Sequence, residues 1–253
     1  MAQNKPLLLL LLIILIASGC VQRENLIAEE NEFEENETEG EVIQVEKVTF
    51  TTEDGFKISG NFSKKEKDAV LMMHILNSNK SAYDHFAQKL NDANYTTLAI
   101  DLRGHGESLD QNGVKRRWDS FSDQDFRDMV IDAFAAKRFL EQNGFKLKYV
   151  VGASIGANTA LNFSAEEPSI KKIVLLSPGL EYKGITTQDS AKITGAEVLI
   201  VASDEDAYSF GSSKNLDTLI ANSEFIGLRN AGHGTMMLSG NQLEKQIIEW
   251  FKQ

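Results

Sequence analysis

The chain has 253 residues, 42% of them hydrophobic, enough for one domain with a sizeable core. Asp and Glu outnumber Lys and Arg by 37 to 26, and a net charge of −11 argues against a nucleic-acid partner, whose phosphates need clustered basic side chains. Cys20 is the only cysteine, so neither an intrachain disulfide nor a cysteine-based metal site is possible.

Met1 to Lys5 is a short polar start with one positive charge, and Leu7 to Ala17 is an unbroken apolar run of 11 residues. Crossing a bilayer takes roughly 18 or more such residues, so residues 1–19 read as an export signal. Ser18 and Gly19 are small, and Cys20 follows directly. This resembles the lipobox of prokaryotic lipoproteins, with Ala17 where Leu or Val is more usual. The resemblance implies that Cys20 is lipidated and becomes the N-terminus, anchoring the chain to the cell membrane and facing the exterior or periplasm. An ordinary signal peptide and an uncleaved signal anchor are the alternatives. Residues 20–45 include nine glutamates between Glu24 and Glu41. Such a stretch cannot bury enough apolar surface to offset its ordering entropy, so an acidic disordered tether is expected there, followed by one folded domain over 46–253.

Within that domain, Lys47 to Thr52 and Phe56 to Phe62 are β-rich runs joined by Asp54-Gly55, a hairpin signal. Six short apolar runs follow with the look of buried parallel strands: Ala69 to Ile75, Thr97 to Ile100, Tyr149 to Val151, Ile173 to Leu176, Val198 to Ala202 and Glu224 to Leu228. Helical stretches lie between them. The clearest spans Asp123 to Gln142, with Ser122 as its cap, Asp125 three residues on and Gly144 just past its end. Gln242 to Phe251 reads as a final amphipathic helix. This order predicts an α/β fold, a mostly parallel eight-stranded sheet with helices on both faces. In such sheets the ligand crevice lies beyond the carboxyl ends of the strands.

Gly152-Ala153-Ser154-Ile155-Gly156 stands between an apolar strand and a helical run. That is the strand–turn–helix setting of a nucleophile elbow. Glycines two residues either side let strand and helix approach closely, and the tight turn thrusts the Ser154 hydroxyl outward. From Val48 to the C-terminus the chain resembles the α/β-hydrolase family. Asp101-Leu102-Arg103-Gly104-His105-Gly106-Glu107-Ser108 is similar to that family's segment after the fourth strand. Trp118, Phe121 and Asp125-Phe126 match its esterase and acyl-peptidase-like members.

The resemblance implies a Ser-His-Asp triad in that chain order. His233, in Asn230-Ala231-Gly232-His233-Gly234, stands where the family places its base, whereas His74, His85 and His105 occupy other positions. The family's Gly-x-x-Asp pattern selects Asp206 as the acid from Ser203-Asp204-Glu205-Asp206. Ser203 replaces the glycine and Ala207 stands where proline is common, which keeps Asp204 open. The oxyanion hole is expected from the backbone N–H groups of Ile155 and, by position, Leu76, although His74-Ile75 replaces the usual His-Gly. No motif calls for a metal or an organic cofactor.

Only about twenty residues, Pro178 to Glu197, separate the sixth and seventh strands. That is room for a loop and a short helix and predicts an open crevice without a large cap. The Leu109 to Ser120 loop, with Lys115, Arg116, Arg117 and Trp118, is a candidate for its border. The expected activity is hydrolysis of a small carboxylic ester or thioester through an acyl-enzyme. A serine peptidase, or a catalytically silent binding lipoprotein on the same fold, is the alternative.

Overall fold

The computed structural model describes residues 44–240 and 242–253. The expected signal over 1–19, Cys20 and the acidic stretch as far as residue 43 lie outside the described residues.

Eight strands form one sheet: β1 (Val45–Thr51), β2 (Lys57–Ser63), β3 (Lys67–Met73), β4 (Tyr95–Ile100), β5 (Leu147–Ala153), β6 (Lys172–Leu176), β7 (Glu197–Ser203) and β8 (Ser223–Leu228). Their spatial order is β1-β2-β4-β3-β5-β6-β7-β8. β2 pairs antiparallel with both β1 and β4, and every later pairing is parallel. The parallel strands β3 to β7 are largely buried on both faces and read as continuous apolar runs rather than alternating ones, whereas β8 at the sheet edge is only partly buried. Every residue of β4 and of β6 is buried.

The side-chain period of two divides the core. Leu71 and Met73 join α3 (Met129–Gln142) and α4 (Ile155–Glu166) on one face, with Ala133, Ala136, Leu140, Ala160 and Leu161 as partners. Val70 and Met72 join α1 (Asp84–Asp92) and α7 (Gln242–Lys252) on the other, with Phe86, Leu90, Ile247 and Phe251. The α/β-hydrolase fold expected from the sequence is therefore the fold observed, with no large cap.

Two local expectations are corrected. The helix read as continuous from Asp123 to Gln142 is broken at Asp128 into α2 (Asp123–Arg127) and α3. The Ser122–Asp125 capping box is complete, with both reciprocal bonds present. Asp128 closes that short helix through N–H bonds to the Gln124 and Phe126 carbonyls, and its ψ of −4° takes the chain out of helical geometry. Apolar periodicity runs through the break and could not reveal it. The segment between β6 and β7 is more than a loop with a helix. A two-stranded hairpin, Glu181–Tyr182 against Ile185–Thr186, precedes α5 (Gln188–Ile193).

Candidate active site

Ser154 is the last residue before α4 and follows β5 directly. Its backbone sits at φ +53° and ψ −116°, a region costing a non-glycine residue about 1–3 kcal/mol. The surroundings enforce it. Ser154 N–H extends the ladder to the Leu176 carbonyl at 2.8 Å, and its own carbonyl accepts from Ala157 and Asn158 at 2.9 and 3.1 Å. A Cβ on Gly152 would fall 2.2 Å from the Gly156 carbonyl oxygen, and one on Gly156 would fall 2.4 Å from that of Met73. Both positions therefore have to be glycine for strand, turn and helix to close up.

His233 lies in the loop after β8, and its Nδ1 donates to Asp206 Oδ2 at 2.5 Å. Asp206 caps α6 (Ala207–Leu219) and accepts from the Ser209 N–H at 3.3 Å. Burial pushes its carboxyl up, but hydrogen bonds from Ser209 and His233 outweigh this and hold it below the ordinary aspartate range. The three residues before it bind the loop that carries the histidine. Ser203 Oγ accepts from Ala231 N–H at 2.9 Å, Asp204 Oδ1 from Asn230 N–H at 3.1 Å, and Glu205 Oε1 from Gly232 N–H at 2.5 Å. Asp204 thus faces backbone and Asp206 faces the imidazole. Ser203, which departs from the family glycine, supplies a bond that glycine could not make.

A cavity of about 450 Å³ gathers Ile75, Leu76, Ser154, Ile155, Glu181, Tyr182, Lys183 and His233. The candidate nucleophile, the candidate base and both expected oxyanion residues therefore meet in one crevice at the carboxyl ends of the strands. A groove of about 510 Å³ along the edge strand β8, against α7, holds no such set.

His74 is buried beneath the Ile75–Leu76 loop. Leu102 N–H donates to its Nε2 at 3.1 Å, so its proton resides on Nδ1, which donates to the Ile75 carbonyl at 2.7 Å. Burial, with His105 adding to it, pushes this imidazole down to about 4. His105 bonds the Arg103 carbonyl and stacks on Trp118, and His85 pairs with Glu244 on α7. Neither is part of the crevice lining.

The Leu109 to Ser120 loop, a candidate for the border, contributes no residue to the cavity lining. Arg116 pairs with Asp125 and Arg117 with Asp119, away from the cavity. Glu181, Tyr182 and Lys183 of the hairpin after β6 form that border instead. Their only sequence signal was Lys183-Gly184, whose φ values of +51° and +79° make the hairpin turn. Among the described residues no group of three or more His, Cys, Asp or Glu side chains is placed to hold a metal ion.

Residues 64–207 match the family model of serine aminopeptidase, S33. Protein ABHD14A of Danio rerio is 27% identical over 162 residues, covering 64% of this chain and 55% of that one. The 2-hydroxy-6-oxo-6-phenylhexa-2,4-dienoate hydrolase of Comamonas testosteroni is 26% identical over 146 residues, covering 56% and 47%. The chain thus spans about half the length of the curated relatives it matches. In fold it is similar to the Pyrococcus furiosus esterase Pf2001, with a TM-score of 0.65 at 20% identity over 83% of this chain and 92% of that one.

Proposed function

The chain belongs to the serine aminopeptidase S33 family, and from that premise we propose that it is a serine hydrolase cleaving a small carboxylic ester or thioester. Ser154 is the nucleophile, His233 the base and Asp206 the acid. The observation that carries this reading is the 2.5 Å bond from His233 Nδ1 to Asp206, with Ser154 on its strained turn in the same cavity.

A serine hydroxyl needs a neighbouring base to act at neutral pH. With Nδ1 engaged by Asp206, His233 offers Nε2. Ser154 Oγ bonds to the acyl carbon as its proton passes to Nε2, and the N–H groups of Ile155 and Leu76 receive the charge that develops on the carbonyl oxygen. His233 then protonates the departing alcohol or thiol. Water repeats the sequence on the acyl-enzyme, releasing the acid and restoring the Ser154 hydroxyl. Asp206 holds the imidazole tautomer and stabilises the imidazolium throughout. The open crevice, without a large cap, suits a small acyl group.

A fluorophosphonate probe tests the reading. It should label the wild type and not Ser154→Ala, and the wild type should hydrolyse short p-nitrophenyl esters. A folded wild type that does neither would overturn the enzyme reading in favour of a silent binding module. The family's own description favours a second reading, an aminopeptidase. Faster turnover of aminoacyl p-nitroanilides than of p-nitrophenyl acetate would select it.

The N-terminal residues support a further part of the proposal. Cys20 is lipidated and residues 20–45 tether the enzyme to a membrane on the exterior or periplasmic side. Cys20→Ser should move the protein to the soluble fraction, and unchanged membrane retention would point to an uncleaved signal anchor.

A further inference from the structure

The mechanism above uses the imidazole of His233 and leaves a second one nearby without a task, that of His74, the residue after β3. Its ring is 0% exposed, lies edge-on to His105 at 5.0 Å and is held at both nitrogens. Leu102 N–H can only donate, so Nε2, 3.1 Å away, is the bare nitrogen and Nδ1 carries the proton. That proton goes to the carbonyl of the next residue, Ile75, at 2.7 Å.

The bond fixes more than a carbonyl. The Ile75–Leu76 peptide is trans, as is every peptide among the described residues. In a planar trans unit the C=O and the following N–H point in opposite directions. With the Ile75 oxygen drawn onto the buried ring, the Leu76 N–H is turned the other way. Ile75 and Leu76 line the cavity together with Ser154 and Ile155. Leu76 N–H has no acceptor among the described residues, and neither has the N–H of Ile155, the first residue of α4. The Ile75 side chain adds a second constraint. A Cβ on Gly234 would fall 2.4 Å from its Cγ2, so it rests against the backbone directly after His233.

Without the imidazole donor, the Ile75 carbonyl would be an acceptor with no partner in a dry site, which is costly. Turning the peptide over would return that oxygen to the water of the crevice. The flipped unit would then show an oxygen, not an N–H, to the carbonyl oxygen of the substrate as its charge develops. On the serine-hydrolase reading above, we propose that His74 is a positioning residue: through the Ile75 carbonyl it keeps the Leu76 N–H aimed at the oxyanion. His74 is not part of the cavity lining and takes no proton in the cycle.

Two variants of the full chain separate the two bonds of the ring. In His74→Asn the amide nitrogen falls where Nδ1 stood, so the donor to Ile75 is kept and the acceptor for Leu102 is lost. In His74→Gln the longer side chain brings its oxygen near the former Nε2, so the Leu102 bond is kept and the Ile75 bond is lost. With p-nitrophenyl acetate, His74→Gln should lose kcat by about 10²-fold, the scale of one oxyanion donor, with KM within about twofold of wild type. Fluorophosphonate labelling, whose phosphoryl oxygen enters the same hole, should slow with it. His74→Asn should keep kcat and labelling within about threefold of wild type, although each variant gives up one hydrogen bond and both should unfold at lower urea concentration. Equal activity in the two variants, reduced or not, is what a merely structural histidine would give, and it overturns the proposal. So does a His74→Asn enzyme that loses kcat by about 10²-fold, whether or not His74→Gln folds. A wild type with neither labelling nor turnover would sink the serine-hydrolase reading, and the role of His74 with it.

Discussion

The loops after β4 and after β7 both hold clustered charges, but they use them differently. Beyond β4, Arg103 is 1% exposed, and its guanidinium reaches Asp132, 0% exposed, at 2.8 Å and Asp54 at 2.7 Å. Lys80 likewise reaches the buried Asp101 at 2.7 Å. Beyond β7, Asp206 and His233 are partly open to solvent, and each side chain from Ser203 to Asp206 holds one residue of the 230–233 loop. The first assembly is built of long-range pairs around the buried Arg103, Asp132 and Asp101, with the partly exposed Asp54 at its rim. It locks the β4 loop beneath the crevice. The second is wet, built of two adjacent turns, and it places the one imidazole that faces the cavity. Arg103, Asp132 and Asp101 are withdrawn from water, and the Asp206–His233 pair stays within reach of it.

This contrast can be broken by exchanging the effects. Asp206→Asn should lower kcat by about 10⁴-fold through loss of the imidazole's orientation, with little change in unfolding by urea. Asp204→Asn should keep most activity, since it faces backbone. If Asp204→Asn proved the more damaging, the acid would have been misassigned. Arg103→Met should do the reverse. It leaves the buried Asp132 facing no cation and should cost about 3–5 kcal/mol of stability, while the folded fraction keeps its turnover.

His74 joins the two regions, because it binds the β4 loop at Leu102 and the expected oxyanion loop at Ile75. Its ring is neutral when folded, with its pKa brought from 6.5 to about 4 by burial and by His105, while Asp101 and Lys80 also act on it. The unfolded chain takes up this proton first. Stability from His74 is therefore complete above pH 6.5 and is lost as pH falls toward 4, by roughly 3 kcal/mol. The measurement is the difference in thermal stability between wild type and His74→Asn from pH 7 to pH 4. It should shrink as the pH drops, and a constant difference would contradict the assignment. The smallest effect is expected of Glu205→Gln, which keeps a carbonyl acceptor for Gly232 N–H and should cost no more than about 1 kcal/mol and leave kcat nearly unchanged.

Asp101 to Ser108, which resembles a family segment, holds a buried network beside the β4 loop, and Ser203 to Asp206, which departs from the family pattern, holds the imidazole. Ser154 was legible because an elbow is a local object: two glycines, a serine and the flanking strand and helix lie within a few residues. His233 was legible from its place after the last strand. The family pattern selected Asp206 and kept Asp204 open, since both are carboxylates on one turn, and the facing loop shows which of them meets the imidazole. Tyr182 was invisible. Its hairpin has a weak turn signal, and nothing in Glu181-Tyr182-Lys183 announces that the phenol will meet Ser209.

The sequence by itself determined the strand and helix order, the parallel sheet and the strained position of Ser154, because these follow from apolar periodicity and from glycines acting over a few residues. The tertiary structure alone separated Asp206, which meets the imidazole, from Asp204, which meets backbone, and decided which loop borders the crevice and what the Tyr182 hydroxyl touches. The bonds from Asp206 to His233 and from Tyr182 to Ser209 each join residues twenty-seven positions apart. Hydrogen bonds act over about 3 Å, and at such separations only the packing of the whole sheet brings the partners within that range.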